Sequence, residues 1–143
     1  MIKAKVDWLV KQALPLAWLV AVVATLISLG LSLVFKLVPC ELCWYQRIAL
    51  YPLAIILGIS FKLEDARAAA YGLPLSVIGL GLALYHSLLQ WGVVTKDVLS
   101  CSLATPCTVA QIKWFGFITI PFMSFLTFGV ITVLLLIYRK SRK

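Results

Sequence analysis

Charge is what this sequence has least of. Only 13% of its 143 residues are Asp, Glu, Lys or Arg, against about 25% in an ordinary soluble domain. With 63% hydrophobic residues and a mean hydropathy of +1.05, such a chain would not stay in solution. The composition excludes a soluble globular domain and calls for the bilayer as solvent. Internal repeats and low-complexity segments are also missing, and the length fits one domain. Acidic residues are scarcer than basic ones, five against 13, for a net charge of +8.

The stretches with no charge at all set the layout. They run from Gln12 to Phe35, Ile48 to Phe61, Ala68 to Thr95 and Trp114 to Tyr138. Three exceed the roughly 18 residues that suggest a membrane helix. The second holds 14 residues, about 21 Å at about 1.5 Å per residue. It reaches the needed length only if Leu42 to Arg47 continue the same helix, so Arg47 is expected inside the second helix near one membrane face. The expectation is an all-α integral membrane four-helix bundle, a single transmembrane domain over 1–143. Its helices fall at about 12–36, 42–61, 68–92 and 114–138, and its outer loops at about 37–41 and 93–113. The first apolar run is far longer than the roughly 7–15-residue core of a cleaved signal peptide, so it reads as a retained helix. Pro15 falls near a helix start, where proline is tolerated, while Pro52, Pro74 and Pro121 are expected to kink their helices.

Basic residues orient the bundle. Nine of the 13 (Lys3, Lys5, Lys11, Lys62, Arg67, Arg139, Lys140, Arg142 and Lys143) fall on the side of the termini. Lys36, Arg47, Lys96 and Lys113 fall on the other. Both termini and the inner Lys62–Arg67 loop are therefore expected in the cytoplasm. The positive charge is a topology signal and gives no reason to invoke nucleic acid.

All four cysteines then lie in the outer segments: Cys40 and Cys43 at the mouth of helix two, Cys101 and Cys107 in the second outer loop. That compartment permits disulfides. A four-cysteine zinc site, two structural disulfides and a pair of exchanging disulfides all compete. Cys-x-x-Cys is a usual half of a zinc site, but five residues between Cys101 and Cys107 make a poor second half. Local chemistry favours exchange. If Pro39 starts a helix, Cys40 and Cys43 lie in its first turn, where the dipole favours a thiolate. Arg47 follows Cys43 by four residues and shares its face.

Arg47 alone would read as an interfacial arginine snorkelling to lipid phosphates. Beside a dithiol it also reads as a donor to a polar carbonyl held at the bilayer edge. Trp44 and Tyr45 are interface-belt aromatics by default, yet they would also wall a flat cofactor site. His86, the only histidine, and Gln90 one turn later stand in the third helix. Intramembrane polar groups point to function or to a helix–helix hydrogen bond.

The stretches PCELCWYQR, YHSLLQ and WFGFITIPFMSF, with the second cysteine pair, resemble the DsbB/BdbC family of disulfide bond formation proteins, most closely its short Gram-positive branch. The likeness covers nearly the whole chain. It implies a thiol:quinone oxidoreductase in the bacterial cell membrane, multi-pass, with the cysteine loops outside. In that reading a secreted or membrane-anchored thioredoxin-fold thiol oxidase, DsbA-like, delivers electrons to a Cys101–Cys107 disulfide, with Cys101 the expected site of the mixed disulfide. Cys107 exchanges with Cys40, and Cys43 passes charge to menaquinone or ubiquinone. Arg47 is implied to hold the quinone carbonyl, with His86, Trp44 and Gln90 as further cofactor-binding candidates and no metal.

The close spacing of the second pair departs from many Gram-negative members. Vitamin K epoxide reductase-like proteins share the four-helix layout, but their loop pair precedes the Cys-x-x-Cys, the reverse of the order here. A non-catalytic membrane adaptor stapled by structural disulfides would also place its cysteines outside, as would a zinc-binding membrane protein.

Overall fold

A computed structural model describes residues 2–65, 67–94, 107, 108 and 112–141. Four helices carry the chain: α1 (Ile2–Leu33), α2 (Glu41–Lys62), α3 (Ala68–Gln90) and α4 (Ile120–Ser141). A two-stranded antiparallel ribbon, β1 (Lys113–Trp114) with β2 (Ile118–Thr119), leads into α4. Each helix packs on the next, and α1 closes the ring against α4. All four are long and apolar enough to cross a membrane, over Val10–Leu33, Glu41–Lys62, Ala68–Gln90 and Ile120–Ser141.

The faces are inverted relative to a water-soluble bundle. Leu26, Ile27, Ile55, Ile59, Val77, Ile78 and Val133 are all exposed, which suits lipid contact. The interior holds Leu53, Leu57, Phe128, Ile131 and Leu135 beside a column of small residues, Ala13, Ala17 and Ala21, all with no exposed surface. Lipid tails are as apolar as leucine, so burial drives little association. Close packing does, and small side chains permit it. Hydroxyls inside the helices donate to their own backbone, as Thr25 does to the Ala21 carbonyl and Ser87 to that of Ala83, both at 2.8 Å. No polar group need face lipid on their account.

The tightest seat lies between α3 and α4. The Phe128 ring presses onto Gly79, where an added Cβ would lie 2.2 Å from a ring carbon. Gly79→Ala is expected to cost about 1–3 kcal/mol through this overpacking. The thermal midpoint of the detergent-solubilised protein checks it. An unchanged midpoint would mean that α4 does not seat on α3 in this way.

Helix ends depart from the charge gaps, because charge marks where the membrane begins and a helix can run past it. α1 starts at Ile2, ten residues before the expected start, and carries its polar first turns beyond the span. Pro15 is therefore an interior proline. α4 starts at Ile120, six residues late, because Phe115 (φ 52°) and Gly116 (φ 84°) turn the chain into the ribbon. Pro121 thus sits in the first turn, where its missing N–H costs nothing. At the end of the bundle that holds the α2–α3 turn, the Tyr138 hydroxyl donates to the Asp65 carbonyl at 3.1 Å, and the Asp65 carboxylate accepts the Arg67 N–H at 2.9 Å. The first bond fastens α4 to the α2–α3 turn, and the second holds the turn itself.

Candidate functional site

The site gathers at the opposite end, where α2 begins. Cys40 is the N-cap, extended at φ −72° and ψ 171°, and its carbonyl accepts the first helical bond, from Trp44 N at 3.1 Å. Pro39 precedes the cap rather than occupying the first turn, so it fixes the entry of the chain. Cys43 lies within the first turn. This cap-and-turn geometry brings the two sulfurs to 3.2 Å, and both are free thiols.

The two sulfurs look in different directions. Cys40 is buried in a small cluster with Leu42, Leu89 and Cys107. Its Sγ lies 3.7 Å from Nε2 of His86. The same Nε2 is 3.3 Å from the Cys107 carbonyl oxygen. Nδ1 of His86 lies 3.1 Å from the Gln46 amide nitrogen; with that nitrogen donating, the ring proton sits on Nε2, facing the sulfur and the carbonyl. The Cys43 thiol beside Cys40, with His86 behind it, holds the Cys40 thiol well below the usual thiol range although burial pushes the other way. Cys107 is fully buried and disulfide-bonded. Cys101 and most of the segment between α3 and β1 lie outside the described residues.

Cys43 opens onto a cavity of about 220 Å³ between α1, α2 and α4. Its walls are mostly apolar, with Ile27, Leu31, Leu50 and Met123 among them. Polar groups enter from all three helices. Cys43, Gln46, Arg47 and Leu50 line it from α2, a spacing of three, four and seven that gives one helical face. Ser28 and Ser32 line it from α1, Ser124 and Thr127 from α4. The Arg47 guanidinium donates to the Ser28 carbonyl at 2.9 Å and to the Ser32 hydroxyl at 2.5 Å. It therefore sits near the C-terminal end of α1, where the helix dipole favours a cation. Its carbon is 5.6 Å from the centre of the Trp44 ring.

The candidates from the sequence separate into groups. Cys40, Cys43 and His86 come together, and Arg47 shares the cavity with Cys43. His86 stands behind the dithiol and off the cavity wall, because α3 packs on the side of α2 that carries Cys40. Trp44 is exposed beside Arg47, without lining the cavity. Gln90, one turn beyond His86, keeps a buried Oε1 that meets no hydrogen-bond donor among the described residues. Gln46, Ser28 and Ser32 do not stand out in the sequence. The signal for Gln46 is its place on the Cys43–Arg47 face. For the serines it is their four-residue spacing at the end of an apolar run.

A family model described as "Disulfide bond formation protein DsbB" matches residues 10–138. A "Disulfide bond formation protein C" of Bacillus subtilis is 42% identical over 126 residues, covering 88% of this chain and 91% of that protein. A "Probable disulfide formation protein C 2" of Bacillus cereus is 42% identical over 135 residues, covering 94% and 95%. A "Probable disulfide formation protein" of Oceanobacillus iheyensis is 46% identical over 133 residues and covers 92% of each chain. No solved structure matches.

Proposed function

Because this chain belongs to the DsbB family of disulfide bond formation proteins, we propose that it is a multi-pass thiol:quinone oxidoreductase of the bacterial cell membrane, its cysteine loops outside and its termini inside. It reoxidises an extracytoplasmic thioredoxin-fold dithiol oxidase and so supports disulfide formation in secreted proteins. One observation carries the reading: the dithiol has two faces. Cys40 meets His86 in the cluster that holds Cys107, and Cys43 opens onto an apolar cavity that holds a guanidinium.

The electron route follows thiol–disulfide exchange. The partner's thiolate attacks the Cys101–Cys107 disulfide at Cys101. The partner's second thiol then resolves that bond, and the partner leaves oxidised with Cys101 and Cys107 reduced. Cys107 attacks Cys40 of the oxidised Cys40–Cys43 pair, and Cys43 departs as a thiolate. Cys101 displaces Cys40 from Cys107, restoring the loop disulfide. Two electrons have then moved from the partner to Cys40 and Cys43. Two free thiols at α2 beside a disulfide-bonded Cys107 are consistent with this last stage.

The cavity fits a quinone headgroup, which is a flat apolar ring with carbonyl acceptors. Its walls are mostly apolar, and its donors Arg47 and Ser32 line it together with Cys43. When bound, the quinone supplies a two-electron, two-proton sink. Arg47 would hold a ring carbonyl and favour the Cys43 thiolate. His86 donates from Nε2 to whichever of Cys40 and the Cys107 carbonyl is in reach, keeping the Cys107 segment over Cys40. Trp44 steadies the guanidinium, and lipid covers the outer faces.

The test is quinol formation by the purified protein in detergent, with a reduced thioredoxin-fold dithiol as electron donor. Reduction of menaquinone or ubiquinone at one quinol per partner disulfide is expected. If folded protein reduces neither, the stapled-adaptor reading takes its place.

A further inference from the structure

The same corner of the bundle has a coordination chemistry that electron transfer does not require. Cys40 Sγ, Cys43 Sγ and His86 Nε2 all lie within 4.8 Å of one another. They belong to two helices, α2 and α3, that pack together along their length. Two of the three residues are buried. We propose that the reduced protein binds one thiophilic d¹⁰ cation of the zinc class at Cys40, Cys43 and His86, and that oxidation to the Cys40–Cys43 disulfide abolishes the site.

The donor set is soft sulfur with imidazole, which selects zinc-like ions over magnesium or calcium. Tetrahedral zinc, with Zn–S of about 2.3 Å and Zn–N of about 2.0–2.1 Å, places its sulfurs about 3.8 Å apart and sulfur and nitrogen about 3.5 Å apart. The distances here are 3.2 Å between the sulfurs and 3.7 Å from Cys40 to the ring. A tetrahedral ion requires the sulfurs to open by about half an ångström and Cys43 Sγ, within 4.8 Å of Nε2, to close on the ring. The Cys107 carbonyl, 3.3 Å from Nε2, or a water completes four ligands.

Gln46 supports the assignment. A ring bound through Nε2 must carry its proton on Nδ1, and a metal-bound histidine nearly always donates that proton to a fixed acceptor. The Gln46 amide already meets Nδ1 at 3.1 Å. Turned over about its terminal bond, it offers oxygen where it now offers nitrogen, at the same distance and with no other movement. Gln46 thus serves either tautomer of the ring.

Binding involves no redox change. The cation replaces the thiol protons, which leave to solvent. It occupies both sulfurs and Nε2 at once, so Cys40 and Cys43 cannot close a disulfide while it is bound. The cation is an inhibitor of the reduced state alone. It requires the dithiol and the ring, and neither quinone nor partner protein.

The experiment is a zinc titration against a chromogenic chelator, on Cys101→Ser/Cys107→Ser protein in detergent with no quinone present. That background leaves Cys40 and Cys43 as the only thiols. One zinc per reduced chain is expected, with none above the detergent blank once the pair is oxidised. His86→Ala should weaken binding at least about tenfold. Gln46→Ala should weaken it about tenfold, as loss of the group that orients a metal-bound histidine does. Cobalt in place of zinc should show thiolate charge-transfer bands with a tetrahedral visible pattern that changes in His86→Ala. Equal zinc on oxidised and reduced protein would overturn the site. So would a His86→Ala protein of unaltered thermal midpoint that binds zinc and cobalt as the parent does, since that is a bare dithiol. None of these readouts depends on quinone reduction, so a failed quinone assay leaves the site standing or falling by itself.

Discussion

Cys43→Ser is expected to lower quinol formation to the protein-free rate, a loss of at least about a hundredfold for a residue that acts as part of a unit. The thiolate is the reacting form of cysteine, and serine at this position supplies none. Cys43 is the sulfur that lines the cavity, while Cys40 is turned into the cluster with Cys107, so Cys40 cannot replace it without reversing the first turn of α2. The substitution removes little packing, since Cys43 is only half-buried and serine has nearly its shape. The thermal midpoint should hardly move, and that separates lost chemistry from lost fold. A second readout is covalent. With Cys43 gone, no Cys40–Cys43 disulfide can form for Cys107 to attack, so the loop pair, once reduced by the partner, should stay reduced, with Cys40, Cys101 and Cys107 all thiols. Peptide mapping after thiol alkylation would find all three alkylated. Cys101→Ser gives the complement: the Cys40–Cys43 pair still responds to quinone, but turnover with the partner protein stops. Quinol formation at the parent rate in Cys43→Ser would remove Cys43 from the route.

Absence of charge made the fold legible, and it explains both what could be read from the chain and what was shifted. Gaps between charges located all four helices, since a lipid-facing helix cannot carry charge over its middle. They could not locate α1's true start, because the helix runs on past its apolar span, Val10–Leu33, into a stretch that carries charge. Nor could they reveal the ribbon before α4. Its turn rests on positive φ at Phe115 and Gly116, and an apolar stretch such as WFGFITI reads as helix until those angles are known. The site was legible wherever residues share one element. Cys43 and Arg47 are four apart and line one cavity. The link from α2 to α3 was not legible: His86 and Gln46 are 40 residues apart in the chain and meet at 3.1 Å. Only packing decides which polar residue of α3 turns toward the dithiol. It selected His86 for the Cys40 side and left Gln90 without a described donor on its oxygen. Ser28 and Ser32 were hidden for a related reason. A serine in a membrane helix usually bonds its own backbone, and nothing local shows that these two face a guanidinium.

Arg47→Ala is expected to raise the quinone KM by about tenfold to a hundredfold, with a smaller fall in kcat. A hydrogen bond from a charged donor is worth about 1.5–3 kcal/mol, and each 1.4 kcal/mol is about a factor of ten. The effect belongs mainly to KM because a carbonyl held by the guanidinium is held before and during electron transfer alike. The smaller fall in kcat reflects the cation's help to the Cys43 thiolate one turn away. Stability should change less than binding. The Ser28 carbonyl that Arg47 reaches lies within α1 and keeps its helical partner, and the Ser32 hydroxyl has helix carbonyls within reach. Arg47→Lys separates charge from shape. A lysine keeps the cation but not the planar fork, so it should restore the kcat loss while leaving KM raised. An interfacial arginine that serves only lipid predicts the opposite pattern: Lys would replace it fully, and Ala would lower the thermal midpoint in step with activity. The ratio of the KM change to the midpoint change across Ala and Lys therefore distinguishes the two roles of Arg47, and a parallel loss of both would mean that the guanidinium fastens α1 to α2 and does not hold the quinone.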